Sequence, residues 1–167
     1  MNELSPRWKF FRICCIIQMV LVALQLMLSV SSIFWRKQLV YPITESLAYG
    51  VMFVFVYMGL SILNYNYPDQ PLTPRQKRNF NWLFLINFLL IAYVFAQLLV
   101  EAKGVFPIIF EIEAPLRLYL IWVALLLVNL LIFVLHLVFL GGMYKLRRII
   151  YENTINQWVS QFDEEKK

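Results

Sequence analysis

Eleven side chains able to hydrogen-bond or titrate are set into four otherwise apolar runs: Gln18, Gln25, Ser29 and Ser32 in the first, Tyr57 and Ser61 in the second, Asn87, Tyr93 and Gln97 in the third, Asn129 and His136 in the fourth. A polar group held in hydrocarbon is costly, which makes each a candidate for function. Gln18 and Gln25 are seven residues apart, as are Asn129 and His136, so each pair shares one face of a helix. If the runs alternate in direction, Gln18, Tyr57, Asn87 and His136 fall at one depth, and Gln25 and Asn129 near the middle. These six form the candidate intramembrane polar site. His136, the only histidine, brings a ring that titrates near neutrality and ligates metals, while the amides and hydroxyls bring hydrogen bonds between helices. One histidine cannot supply a pair of axial haem ligands, and no second metal-ligand type lies in the runs. No cofactor or metal is therefore expected. HExxH, GxGxxG, P-loop and GxSxG patterns are absent from the chain, as are paired intramembrane aspartates, so no catalytic residue is assigned.

The elements that must position these residues follow from composition. With 61% hydrophobic residues, 15% charged residues and a mean hydropathy of +0.67, the chain has lipid as its main solvent. Leu118–Tyr144 runs for 27 residues without a formal charge. About 20 apolar residues cross a hydrocarbon core of about 30 Å, and in lipid a helix satisfies its own backbone. Similar runs predict earlier spans at about 13–35, 46–64 and 80–100. The expected fold is all-α: a membrane bundle of four transmembrane helices over 13–144, after an N-terminal segment 1–12 and before a tail 145–167. Ser29-Val30-Ser31 resembles a signal cleavage site. The 23 residues from Ile13 to Trp35 exceed the roughly 7–15 of a signal core, however, so an uncleaved first span is expected.

Between the spans, Pro42 marks a break, with Thr44 expected to cap the second helix and Glu45 beside its positive end. Asn64 to Pro71 reads as a turn, and Thr73-Pro74 as the start of a basic helix. The segment from Glu101 to Arg117 is too apolar for a free loop. It is expected to lie on the outer membrane surface or to fold over the bundle mouth, broken by Pro107 and Pro115, with Glu101, Glu111 and Glu113 as a solvated edge and a cation-binding role for that trio as the alternative. Adjacent Cys14 and Cys15 are expected as reduced thiols, with lipidation the alternative.

The net charge of +5 does not point to nucleic acid, because the basic residues sit in short clusters flanking apolar runs. The N-terminus, the middle loop and the tail carry eleven of the fifteen, against four in the other two connections. The positive-inside rule then places both termini in the cytoplasm and the protein in the inner membrane. In the tail, Tyr151, Ile155, Trp158, Val159 and Phe162 recur at i, i+4, i+7, i+8 and i+11, which predicts an amphipathic helix that lies in the interface or docks on a partner. The arrangement resembles small bacterial four-helix membrane proteins in topology alone, and implies no activity. The function expected from these features is that of a non-enzymatic accessory, assembly or interaction subunit, in contact with membrane lipids and with another membrane protein or a second copy. The alternative is a small-molecule or lipid binder or transporter with a pocket around His136.

Overall fold

The computed structural model describes residues 4–34, 39–110 and 115–164, with side chains described except at 105–110, 118 and 161–164. Four helices account for nearly all of it: α1 (Pro6–Ser32), α2 (Val40–Tyr65), α3 (Pro74–Phe110) and α4 (Leu116–Glu164). All four contain stretches long and apolar enough to cross a membrane. Each helix packs on its sequence neighbours, and α4 returns to α1 to close the ring. Successive helices run in opposite directions. Trp8 of α1 meets Tyr67 of the α2–α3 loop, and Asn153 of α4 donates to the Pro68 carbonyl, so both chain ends and that loop lie at one end of the bundle.

The packing follows a seven-residue rhythm. In α1 the buried residues are Trp8, Phe11, Cys15, Gln18, Val22, Gln25 and Ser29, a strict alternation of three and four. In α4 the buried positions Asn129, Ile132, His136, Phe139, Met143, Leu146 and Ile150 keep the same alternation, with Leu140 buried beside them. Such seams let two helices interdigitate along their length. Their register is antiparallel: moving seven residues forward from Gln18 to Gln25 corresponds to moving seven back from His136 to Asn129, and these are the hydrogen-bonded partners.

Near the termini an aromatic cluster joins all four helices, with Phe55 of α2 edge-on to Phe139 of α4 at 5.1 Å and to Phe80 of α3 at 5.8 Å. Phe11 of α1 stacks on Phe139 at 6.2 Å. Two glycines admit these rings. A Cβ on Gly59 would stand 2.7 Å from Phe139 and 2.8 Å from Met143, and one on Gly142 would enter the Phe11 ring. Away from the seams the helices present large apolar side chains outward, among them Met27, Val54, Leu89 and Leu127, each more than half exposed. That surface suits lipid rather than water.

Several boundaries depart from the sequence expectation. The second helix begins at Val40, not near Ser46, and carries Pro42 in its first turn, where the missing N–H costs nothing. Thr44 therefore caps nothing; its hydroxyl bonds back to the Val40 and Tyr41 carbonyls at 3.0 and 2.9 Å. Pro107 does not stop the third helix, which continues to Phe110. Residues 101–110 are thus helical rather than a surface segment, while Glu111 and Glu113 lie outside the described residues. The tail is not a separate helix but the continuation of α4, whose 49 residues reach about 74 Å at 1.5 Å per residue. The Thr73-Pro74 start holds. It is a capping box, in which Thr73 N–H donates to Gln76 Oε1 at 2.8 Å and Gln76 N–H to Thr73 Oγ1 at 3.3 Å.

Candidate functional site

The α1–α4 seam brings the expected polar residues together in two layers, separated by a largely apolar one. In the layer nearer the termini, Gln18 Nε2 lies 2.8 Å from His136 Nδ1. As the Gln18 amide is oriented, its nitrogen donates and Nδ1 accepts. Asn87 is buried in the same layer, its amide nitrogen donating to the Leu83 carbonyl at 2.8 Å. Gln18, Asn87 and His136 are each 1% exposed or less. Three of their polar atoms have no protein partner: Gln18 Oε1, Asn87 Oδ1 and His136 Nε2.

About 10 Å further along, two helical turns at 1.5 Å per residue, Asn129 is the hub of the second layer. Its Oδ1 accepts from Gln25 Nε2 at 2.7 Å and, more loosely, from the Tyr49 hydroxyl at 3.4 Å. Its Nδ2 donates to both carboxylate oxygens of Glu101, at 3.0 and 2.8 Å. All four helices contribute: Gln25 from α1, Tyr49 from α2, Glu101 from α3, Asn129 from α4. Between the two layers Val22, Met52 and Ile132 are fully buried, and Tyr93 packs against the same cluster with a buried hydroxyl that has no partner.

The second layer borders a cavity of about 280 Å³ at the end of the bundle away from the termini. Its wall includes Gln25, Ser29, Ser32, Tyr41, Glu45, Glu101, Asn129 and, on the apolar side, Trp122. Two of these residues are acidic and none is basic. Deeper in the wall, Tyr41 donates to Gln97 Oε1 at 3.0 Å.

Of the six candidate positions, five are in the interior. Tyr57 is not; it is 64% exposed on the outer face of α2. The partner that α2 does supply, Tyr49, lies eight residues earlier and was missed. Glu101 was expected chiefly as part of a solvated edge, with cation binding the alternative, because it stands at the end of an apolar run; its bond to Asn129 was not foreseen. A signal for it existed: Phe80, Asn87 and Val94, the buried residues of α3 among those described, recur every seven residues, and half-buried Glu101 continues the line. Tyr49 is flanked by a weaker one, since Ala48 and Gly59 are small residues of the kind that mark helix interfaces in lipid.

Cys14 is part-buried, Cys15 buried, and both are free thiols. Among the described residues no three His, Cys, Asp or Glu side chains gather as metal ligands. In the tail, Tyr151, Ile155, Trp158 and Val159 are all exposed, and the Phe162 side chain lies outside the described residues. No family model, no curated protein and no solved structure matches this chain.

Proposed function

We propose that this is a multi-pass membrane protein that binds a small organic cation, an ammonium with a few carbon atoms, in the cavity beside Asn129. The observation that carries this reading is the wall of that cavity, which presents Glu45 and Glu101 and, among the described residues, no basic one around about 280 Å³. The volume lies at the lower edge of the range for small-molecule sites, about 300–1,000 Å³. Half-buried carboxylates attract a cation more strongly than fully solvated ones would, and the Trp122 ring offers a face for an alkylammonium. Glu101 is held in place by Asn129 before any ligand arrives. The fully buried layer of Val22, Met52 and Ile132 makes this a one-sided site rather than a pore. Its chemistry is binding, with no residue in a catalytic role. The pocket expected around His136 thus moves one layer outward.

The charge count supports both termini in the cytoplasm, and in a bacterial cell the inner membrane, with the cavity mouth on the opposite side. Equilibrium dialysis of radiolabelled tetramethylammonium against purified protein tests the reading. Binding is expected that Glu101→Gln weakens at least tenfold, with no binding of labelled acetate. Equal uptake of cation and anion, or unchanged binding in Glu101→Gln, would overturn it.

A second reading is favoured by the tail. Beyond the bundle α4 exposes Tyr151, Ile155, Trp158 and Val159, with Trp158 at 62%, and this supports an accessory or assembly role through another membrane protein or a second copy. Deleting residues 156–167 should abolish a stoichiometric co-purifying partner if that role is correct, and leave tetramethylammonium binding unchanged.

A further inference from the structure

At the termini end a second, larger cleft of about 570 Å³ opens between the start of α3 and the emerging part of α4. Its chemistry is the reverse of the first cavity. Lys77, Arg147 and Arg148 line it and, among the described residues, no carboxylate does, while Phe80, Phe84 and Ile155 supply apolar wall. Arg147 is held in position before any ligand binds, because its guanidinium lies over the Phe80 ring at 5.3 Å and one of its terminal nitrogens bonds Asn81 Oδ1. Arg148 is paired with Glu152 at 2.7 Å, so the uncompensated charge comes from Lys77 and Arg147. The cleft lies where the uncharged run ending at Tyr144 gives way to Lys145, Arg147 and Arg148. That is the depth of a bilayer's headgroups if the run fills the hydrocarbon core.

We propose that this cleft holds one anionic glycerophospholipid, its phosphate between Lys77 and Arg147 and its first acyl carbons against Phe80 and Phe84. A planar guanidinium offers paired donors to phosphate oxygens, and an ammonium adds a point charge. A free phosphate would use the same cations but leave the aromatic wall uncovered. The membrane, not the aqueous phase, is therefore the source. The site is independent of the cation cavity at the other end.

The test uses the full chain in a mild non-ionic detergent, titrated with dioleoyl phosphatidylglycerol or dioleoyl phosphatidylcholine and read by native mass spectrometry. One phosphatidylglycerol should bind at least tenfold more tightly than phosphatidylcholine. The Lys77→Gln, Arg147→Gln double variant should bind it roughly 30-fold more weakly, which corresponds to about 1 kcal/mol per cation. Arg75→Gln with Arg78→Gln removes the same charge from exposed positions outside the cleft and should change little. Equal loss in that control would reduce the effect to diffuse attraction and overturn the site. So would equal affinity for the two lipids, or inorganic phosphate displacing phosphatidylglycerol at equal concentration. If the double variant unfolds, Arg147→Lys, which keeps the charge and loses the fork, should bind several-fold more weakly; unchanged binding there also overturns the proposal.

Discussion

The bond between Gln25 and Asn129 offers the sharpest test of the second polar layer. Both residues are well buried, at 6% and 8% exposed, and their amides meet at 2.7 Å. Asn129→Leu keeps the branched four-atom side chain at a somewhat larger volume, so it leaves no void, but it removes the partner of the Gln25 amide, which is 6% exposed. Interhelical hydrogen bonds measured in membrane proteins average about 0.6 kcal/mol, with an upper value near 1.7. A short, buried bond belongs in the upper half of that range. Two other contacts of Asn129 add less: the Tyr49 hydroxyl is at 3.4 Å, and Glu101 is only half-buried beside the cavity, where water can take over. The single variant should therefore cost about 1.5–2 kcal/mol.

Gln25→Leu alone should cost about 1–1.5 kcal/mol by the same reasoning. The double variant leaves neither amide stranded and should be less destabilised than the sum by about 1 kcal/mol or more. Equilibrium unfolding by dodecyl sulfate in mixed micelles, followed by helical circular dichroism, measures all four proteins. Tyr57→Phe combined with Asn129→Leu serves as a pair expected to be additive. A coupling below about 0.3 kcal/mol, the ordinary scatter of independent sites, would mean that the two amides do not meet in lipid and that the α1–α4 register is wrong.

Other outcomes follow from the packing. Gly142→Leu drives a side chain into the Phe11 ring; a loss of about 1–3 kcal/mol is expected in the same unfolding assay, and wild-type stability would contradict the close approach of α1 to α4. Tyr57→Phe removes only an exposed hydroxyl and should change stability by less than about 0.5 kcal/mol; a larger loss would restore Tyr57 to the interior. Replacing Gln18 and His136 together by Leu and Phe removes a bond along with two of the three orphan polar atoms, so the double variant should be no less stable than His136→Phe alone. Asn153→Ala loses the 2.9 Å bond to the Pro68 carbonyl and should raise amide exchange in the α2–α3 loop and the tail without changing exchange near Asn129.

By itself the sequence determined that four helices form, where the apolar runs lie, and that polar residues are paired along a face. Those features depend on length, hydropathy and local spacing, which lipid reads directly. The seven-residue separations of Gln18 from Gln25 and of His136 from Asn129 were enough to foresee two layers. Which face of α2 turns inward was not legible, because a helix apolar all round carries no hydrophobic contrast to orient it. Tyr57 and Tyr49 are alike in type, and only the fit of Gly59 beneath Phe139 chose between them.

Nor was the fate of the helix ends legible. Pro42 falls in the permissive first turn, and Pro107 loses one backbone bond within a helix that continues on both sides of it. Glu101 could be told from a solvated edge only once α4 had brought Asn129 within reach. Its side chain leans toward the start of its own helix, as side chains on a helix do, and so turns back into the bundle. The cation-lined cleft at the other end joins Lys77 to Arg147, seventy residues apart in sequence. Only the packing of α3 on α4 could bring them together, since charge clusters in a sequence report how many cations there are and not which of them share a wall.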